Sequence, residues 1–245
     1  MVPVTVVAGT RPVLLWSPPR CRSTAFARVM MERGDLTVVH EPFSNRAAQG
    51  WFSVGGRRFG TDPELLGAIL DLAADGPVFV KDTTDYAYPD LLADDRLLHG
   101  VTNTFIIRDP AEAIASHHAM NPAVTRDDIG FERCWTMFRA VLDATGTAPV
   151  VVDDTDLLRR PAELVAAYCA RVGLPFVPEA LAWQPGARDE WRRTEAWHRG
   201  AEKSTGIQAR SQEYGTTVRN DERLAGYDRY HRPFYEKLRA YRLSV

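Results

Sequence analysis

The sequence predicts a doubly wound α/β protein, in which a parallel β-sheet lies between layers of helices. Short apolar runs of strand length recur along the chain, and segments with a helical pattern lie between them. Continuous apolar runs are typical of strands that are buried on both faces, as in a parallel sheet. Strands that alternate with helices indicate the crossover connections that such a sheet needs.

Five apolar runs are predicted to form the strands. The first run stops at Pro18 and Pro19, and the second stops at Pro42. Proline is typical of the points where a strand ends. The strands are expected at residues 13–16, 36–40, 77–81, 104–107 and 149–153.

Helical patterns follow these strands. Asp62 is expected to cap a helix that has Pro63 in its first turn, and Asp109 with Pro110 opens another. After about residue 183 the pattern weakens. The helices are expected at residues 23–33, from 62, at 109–120, 131–144 and 160–173, with a last helix near 233–243.

The composition is that of an ordinary globular protein. The chain has 245 residues, a formal net charge of −2 and 45% hydrophobic residues. We expect a single domain over residues 1–245, with a core of about residues 13–180 and a C-terminal cover of about residues 183–245. Balanced charge argues against nucleic-acid binding and against a basic membrane-surface protein. Residues 186–245 have a net charge of +4, so this cover is either a solvated surface or a lid over an anionic ligand.

The cysteines and the N-terminus favour a cytoplasmic protein. Cys21, Cys134 and Cys169 form no CxxC motif, which argues against a disulfide scaffold and a cysteine zinc site. Such cysteine usage fits a reducing compartment. No secretory signal and no apolar stretch long enough for a membrane span is expected.

The loop after the first strand, residues 18–24, contains the groups of an anion-binding site. Arg20 and Arg22 supply guanidinium groups, whose forked donors suit phosphate and sulfate oxygens. Ser23 and Thr24 supply hydroxyls at the positive end of the following helix. The alternative is a helix cap, Ser23 or Thr24, beside two surface arginines.

Two phosphate chemistries do not fit this loop. A nucleotide P-loop needs GxxxxGK[ST], and the loop contains neither glycine nor lysine. A cysteine phosphatase of the C-x5-R type, with Cys21 as nucleophile, needs arginine at position 27, where this chain has Ala27.

The loop resembles the first loop of the P-loop sulfotransferases, which use 3′-phosphoadenosine-5′-phosphosulfate (PAPS). That loop reads like P-[KR]-S-G-[ST]-[ST], and in a bacterial branch like PRSRST with HEPF following it. Residues 19–24 read PRCRST, with Arg22 at the family's glycine and Ala25 where many members have an aromatic residue that stacks on adenine. The resemblance implies a three-layer fold with a five-stranded parallel sheet in the order 2-3-1-4-5. It also implies that the 5′-phosphosulfate binds to Arg20, Cys21, Arg22, Ser23 and Thr24.

A second motif matches the family after the fourth strand. Arg108 ends this strand, and Ser116 follows eight residues later on the next helix. In the family, an arginine and a serine with this spacing bind the 3′-phosphate of the cofactor. The alternative is an arginine paired with Asp109 and a serine on the helix surface.

The acceptor side is expected at HEPF, which follows the second strand. Ligands of parallel sheets bind at this carboxyl edge, and sulfuryl transfer needs a base for the acceptor proton. Some family members use a histidine near the third strand, and others use a glutamate after the second. Counted from Lys81, the histidine position is Thr83. We therefore expect Glu41 to be the base, with His40 as the second candidate.

Lysine is rare in this chain, since 27 of the 30 basic residues are arginine. GC-rich coding explains this bias for most of the chain. Lys81 is nevertheless the only lysine in the first 202 residues, and it ends the predicted third strand. In the family, a lysine at this place contacts the bridging oxygen of the leaving phosphate, where a compact ammonium suits one oxygen better than a planar fork.

Ion pairs are the alternative interpretation of both candidate catalytic residues. Glu41 could pair with Arg20 or Arg22, and Lys81 could pair with Asp82.

The C-terminal part contains a weaker motif. Residues 203–206 read KSTG and resemble the family's late basic, glycine-containing segment, so Ser204 and Gly206 are expected to bind the cofactor. His117 and His118 lack the i, i+4 spacing of a metal site, and no metal is expected. The acceptor pocket is expected to involve the tail and an insert at residues 44–60, which contains Arg46, Trp51, Phe52, Arg57 and Arg58.

The resemblance implies transfer of a sulfuryl group from PAPS to a hydroxyl or amine of a small molecule, leaving adenosine 3′,5′-bisphosphate. The composition associates this activity with specialised, natural-product metabolism. One alternative is a catalytically degenerate sulfotransferase-like subunit of a biosynthetic complex. Another is a kinase-like phosphotransferase. No nucleic acid or membrane partner is expected, and a homo-oligomer or a protein partner stays open.

Overall fold

The apolar runs of the sequence form strands in the computed structural model, which describes residues 11–188, 191, 195–208 and 213–245. The expected absence of a secretory signal concerns residues 1–10 in part, and these lie outside the described residues. In chain order the strands are β1 (Val13–Ser17), β2 (Thr37–His40), β3 (Phe52–Val54), β4 (Arg57–Phe59), β5 (Val78–Thr83), β6 (Thr102–Ile107) and β7 (Val150–Asp153).

Five of these strands form a parallel sheet in the order β2-β5-β1-β6-β7. Counted without β3 and β4, this is the predicted order 2-3-1-4-5, and the predicted α/β fold with a five-stranded parallel sheet is confirmed. β3 and β4 form a separate antiparallel hairpin that was not predicted. Its turn is Gly55-Gly56, with φ of 56° and 77°. Two glycines between short strands are a known hairpin signal, so this element could have been found.

The side chains of the sheet alternate between two apolar cores. On β1, Leu14 and Trp16 lie in the cluster on one face, and Val13 and Leu15 lie in the cluster on the other. Successive residues of a strand point to opposite faces. Helices cover both faces, which explains why the strands read as continuous apolar runs.

Helices flank the sheet on both sides. α3, α5, α7 and α11 pack in the cluster with Trp16, and α1, α8 and α9 pack in the cluster with Leu15. Among the described helices, none is both long and apolar enough to cross a membrane. In chain order they are α1 (Ser23–Glu32), α2 (Pro42–Gln49), α3 (Asp62–Asp75), α4 (Pro89–Leu92), α5 (Asp95–His99), α6 (Pro110–Met120), α7 (Phe131–Thr145), α8 (Asp154–Arg159), α9 (Pro161–Val172), α10 (Glu195–Glu202) and α11 (Glu222–Arg239).

The prediction for the last helix was wrong in its bounds. A helix was expected near residues 233–243, but α11 begins eleven residues earlier and contains Pro233 in its interior. Asp221 sets the start, because its carboxylate accepts a hydrogen bond from the amide of Leu224 at 2.9 Å. Leu224 and Leu238 are both fully buried, so packing along the whole helix outweighs the cost of the internal proline.

The start of α3 also differs from the prediction. Asp62 was expected to cap this helix, but it is the first helical residue, and Thr61 precedes it. The carboxylate of Asp62 accepts a hydrogen bond from Nε of Arg46 at 2.7 Å. Asp62 therefore ties α3 to α2.

The parallel strands all end at one edge of the sheet. In the register of the sheet, Ser17 lies beside Thr83, and His40 lies beside Lys81. The strand order reverses between β1 and β6, because the chain adds strands first on one side of β1 and then on the other. Ligands of doubly wound sheets bind outside the carboxyl ends at this point.

Arg28 anchors the segment after α9 to α1. The residue is 3% exposed, and its Nε lies 2.6 Å from a carboxylate oxygen of Glu32. Its two terminal nitrogens donate to the carbonyls of Gly186 and Gln184 at 3.3 and 3.1 Å, and its guanidinium lies over the ring of Trp183. A buried cation with this many acceptors fixes the path of the chain toward α10.

Candidate active site

A cavity of about 520 Å³ lies at the carboxyl edge of the sheet. Its lining comes from the loop after β1, from α2, from the end of β5 and from α6 and α10. Two predicted site residues, Cys21 and His40, are not among the lining residues. The structure brings together the other predicted site residues, which are Arg20, Arg22, Ser23, Thr24, Glu41, Lys81, Arg108, Ser116, Ser204 and Gly206.

Cys21 points away from this cavity. Its side chain is fully buried in the core cluster with Trp16, and its Sγ lies 3.8 Å from the carbonyl oxygen of Pro19. Burial raises the pKa of the thiol. The Cys21 side chain faces the core, so cofactor binding by Cys21, which stays a prediction, would have to use its backbone amide.

The backbone of the loop suits an anion. Arg20 and Arg22 have φ of 68° and 59°, in the left-handed region that favours glycine. Left-handed residues in a loop turn successive amides toward one point, which makes a concave anion site. The family's glycine position thus keeps a glycine-like conformation although Arg22 occupies it.

Asp154 connects the two basic motifs, because it contacts Arg22 of the first and Arg108 of the second. It follows β7 and lies 2.6 Å from Nε of Arg22 and 3.4 Å from Nε of Arg108. Its side chain is only 4% exposed. Burial raises the pKa of this carboxyl, and the two guanidinium groups oppose that rise. Sequence reasoning missed Asp154, although its place directly after the fifth parallel strand put it at the same edge as the motifs.

Replacing Asp154 by asparagine should destabilise the protein by about 1–3 kcal/mol, because Arg22 would lose its carboxylate partner while Arg108 keeps Glu112. Thermal or denaturant unfolding would measure this loss. Asp127→Asn is the matched control, since Asp127 is 57% exposed and pairs with the exposed Arg126; we expect a change below about 0.5 kcal/mol there. Equal stability of both variants would contradict the role of Asp154.

Arg108 has acidic partners on two sides. Besides Asp154, it pairs with Glu112 one turn further along α6, at 2.7 Å. Asp109, the expected alternative partner, caps α6 and pairs with Arg232. The guanidinium of Arg108 therefore stays beside the loop of residues 19–24.

Ser116 faces the cavity from α6. The residue is 2% exposed, and its Oγ accepts a hydrogen bond from Nε of Arg20 at 3.0 Å. The alternative of a serine on the helix surface is therefore wrong.

Glu41 and Lys81 form a buried ion pair in the cavity. Oε1 of Glu41 contacts Nζ of Lys81, and Nε2 of His40 lies 3.6 Å from the same oxygen. The alternative partners of Glu41, Arg20 and Arg22, were wrong, because Arg20 binds a serine and Arg22 binds Asp154. Glu41 itself has a left-handed φ of 52°.

Asp82 fixes the start of α2 beside this pair. Its carboxylate accepts hydrogen bonds from the amides of Phe43, Ser44 and Thr83 at 2.6, 3.2 and 2.8 Å. Burial raises the pKa of Asp82 to about 7, and these hydrogen bonds oppose that rise. The expected alternative, a Lys81–Asp82 pair, was wrong because the amides occupy the carboxylate. Since α2 begins directly after Glu41, Asp82 also positions Glu41.

The late motif of residues 203–206 lines the cavity, but its polar groups also bind other parts of the protein. Oγ of Ser204 accepts a hydrogen bond from Nε1 of Trp183 at 3.0 Å and donates to the carbonyl of Ala201 at 2.5 Å. Gly206 forms a single antiparallel bridge with Ala182. Cofactor binding by Ser204 and Gly206 stays a prediction.

Of the insert at residues 44–60, only the part that belongs to α2 lines the cavity. Ser44, Asn45, Ala48 and Gln49 of α2 line it. Five insert residues expected at the acceptor pocket are not among the lining residues: Arg46, Trp51, Phe52, Arg57 and Arg58. Arg46 instead binds the carboxylate of Asp62 at the start of α3. The other four lie on the β3–β4 hairpin or directly before it, where the guanidinium of Arg58 is 4.0 Å from the ring centre of Trp51.

Three further cavity residues extend the predicted site. Asp85 accepts a hydrogen bond from Oγ1 of Thr83 at 2.6 Å, and burial raises its pKa. Burial and the nearby Arg20 lower the pKa of His117 to about 4, so its ring is neutral at pH 7. Trp197 of α10 packs edge-on against His117 at 5.4 Å. Only tertiary contact brings α10 here, which is why no sequence pattern pointed to Trp197.

These features define an α/β protein with a cavity, lined in part by arginine and lysine side chains, at the carboxyl edge of a doubly wound sheet. A family model described as the sulfotransferase domain matches residues 11–241. The chain belongs to this sulfotransferase family, and the predicted family resemblance is confirmed.

Solved structures that are similar to the chain include two sulfotransferase domains. The sulfotransferase domain from the curacin biosynthetic pathway has 15% sequence identity and a TM-score of 0.41, with 82% of this chain and 85% of that chain covered. The sulfotransferase domain from the Synechococcus PCC 7002 olefin synthase has 14% identity and a TM-score of 0.42, with 92% and 96% covered. No curated protein gives a significant match.

Proposed function

We propose that this sulfotransferase-family protein transfers a sulfuryl group from PAPS to a hydroxyl or amine of a small molecule. The observation that supports this most is that two anion-binding groups line one cavity: the loop of residues 19–24, and Arg108 with Ser116. A simple phosphate ester needs one such group, whereas a nucleoside with phosphates at its 3′ and 5′ positions needs two. A setting in specialised metabolism stays a prediction from composition.

The residues present fit the donor in charge and size. The cavity volume of about 520 Å³ lies within the range of about 300–1,000 Å³ that is usual for small-molecule sites. In the described part of the chain, its lining includes the basic side chains of Arg20, Arg22, Lys81 and Arg108. The 5′ end would be held by Arg22 and the loop amides, and the 3′ end by Arg108 and Ser116.

Glu41 and Lys81 supply the proton and charge chemistry. When bound, the donor would supply a sulfuryl group attached to a phosphate leaving group. A carboxylate oxygen of Glu41 accepts the proton of the acceptor nucleophile, and Nζ of Lys81 offers positive charge to the leaving oxygen. Because the two side chains form an ion pair, protonation of Glu41 removes the counterion of Lys81 as negative charge develops on the leaving group.

Adenosine 3′,5′-bisphosphate should raise the melting temperature, whereas ATP and AMP should raise it little. A ligand at 100 times its Kd stabilises the folded state by about 2.7 kcal/mol. For a chain of this size that corresponds to a shift of about 5–10 °C. A thermal-shift assay with the three nucleotides at equal concentration measures the difference.

Each other outcome of this assay favours a different protein. A shift with ATP alone would favour a kinase-like phosphotransferase. The absence of any shift would favour a degenerate subunit without a working donor site. Either result would refute the proposed function.

A further inference from the structure

The side chain of Arg20 turns away from the centre of its own loop and toward α6. Its Nε donates to Oγ of Ser116 at 3.0 Å, and its Nη1 donates to the carbonyl of Trp197 at 3.0 Å. Arg108 contacts the same residue from the other side, since its Nη1 donates to the backbone carbonyl of Arg20 at 3.3 Å. Arg20 is therefore hydrogen-bonded to both residues that are expected to bind the 3′-phosphate, to Ser116 through its side chain and to Arg108 through its backbone.

Among the described residues, Arg20 has no carboxylate as an ion-pair partner. Arg22, Lys81 and Arg108 each pair with a carboxylate, whereas within the described part of the chain no carboxylate lies within ion-pair distance of Arg20. Burial lowers the pKa of Arg20 and the charge of Arg108 adds to this effect, whereas Tyr214, Cys21 and Glu41 oppose it. An anion beside Arg20 would compensate for the loss of solvation and reduce the repulsion from Arg108.

The groups around Arg20 leave donors for such an anion. Nη2 of Arg20 has no hydrogen-bond acceptor among the described residues. The hydroxyl of Ser116 accepts from Arg20, so its own proton is left to donate. Both donors belong to residues that line the cavity.

We infer that Arg20 binds the 3′-phosphate of the nucleotide together with Arg108 and Ser116, although its place in the loop marks it as a 5′-phosphosulfate residue. The 5′ end then depends on the loop amides, Arg22 and Lys81. The inference rests on the proposed function, because it assigns one residue of that site to one end of the donor.

Binding of three nucleotides separates the two assignments. Isothermal titration calorimetry would give Kd values for adenosine 3′,5′-bisphosphate, 3′-AMP and 5′-AMP. Arg20→Ala should raise the Kd values for the bisphosphate and for 3′-AMP by about 10- to 100-fold, the effect expected for losing a hydrogen bond to a charged group. It should change the affinity for 5′-AMP less than about threefold. Ser116→Ala should show the same selectivity with a smaller effect.

Two further variants serve as controls. Arg20→Lys keeps the charge but loses the fork, so it should give an intermediate loss for the two 3′-phosphorylated nucleotides. Arg139→Ala removes an exposed arginine on α7, which pairs with Asp143, and should leave all three affinities unchanged.

The contrary results are distinct. If Arg20→Ala weakens 5′-AMP as much as 3′-AMP, then Arg20 acts at the 5′ end or merely holds α10 through Trp197, and the inference falls. No change in any affinity would also overturn it. A wild-type protein that binds no bisphosphate would instead refute the proposed function.

Discussion

Glu41→Gln should lower kcat by about 10²- to 10⁴-fold, the usual contribution of a general base. Glutamine keeps the shape of the side chain but cannot accept a proton from the acceptor. The affinity for adenosine 3′,5′-bisphosphate should change little, because the proposed anion-binding groups are the loop of residues 19–24 and Arg108 with Ser116. Steady-state sulfuryl transfer at saturating PAPS would measure kcat, and calorimetry would measure the affinity.

The neighbouring histidine provides the comparison for this result. His40 is 3% exposed and lies 3.6 Å from the Glu41 carboxylate, so it is the second candidate base. His40→Gln should lower kcat by less than tenfold if Glu41 is the base. Loss of turnover in His40→Gln, with turnover kept in Glu41→Gln, would exchange the two roles.

Lys81→Arg should lower kcat by about 10²- to 10³-fold, similar to the loss of one preorganised oxyanion donor. Lys81 is 2% exposed and contacts Glu41. Lys81 also lines the cavity. A guanidinium is longer and planar, so it would pair with Glu41 as a fork and would not place a compact charge at the leaving oxygen. The rate would be compared with the bisphosphate affinity, which we expect to fall much less.

A second lysine controls for the substitution itself. Lys237 is an exposed residue of α11 that packs against the ring of Trp135, so Lys237→Arg should keep full activity and stability. If Lys81→Arg is as active as Lys237→Arg, then the position of Lys81 gives no catalytic advantage over arginine, and its proposed role is wrong.

Local sequence patterns determine the parts of the fold that were predicted. The strands were visible because both faces of the sheet are buried, and the anion loop was visible because its residues are adjacent in sequence. The hairpin was missed because its strands are only three residues long. The bounds of α11 were misjudged because Pro233 suggested a helix start, whereas packing of Leu224 and Leu238 sets the helix length.

The pairing of charges was the part that sequence could not supply. Glu41 and Lys81 are 40 residues apart, and Arg20 and Ser116 are 96 apart. Which carboxylate faces which cation depends on strand register and loop conformation. Asp154 illustrates this. In the sequence it reads as the start of an ordinary helix, and only the folded structure shows that it pairs with Arg22 and Arg108.

The three left-handed residues of the cavity have a consequence for selection. Among the described residues, the non-glycine residues with positive φ are Arg20, Arg22 and Glu41, and all three line the cavity. Such a conformation costs an L-residue about 1–2 kcal/mol, and glycine adopts it without steric cost. At Arg22 and Glu41, glycine would leave the buried Asp154 and Lys81 without their counterions, which costs more than the strain it relieves. Arg20 has no carboxylate within ion-pair distance among the described residues, so a laboratory screen for heat resistance would drift toward glycine there and away from a charge on which the proposed activity depends. In this protein, variants that fold best and variants that turn over fastest should come from separate lineages.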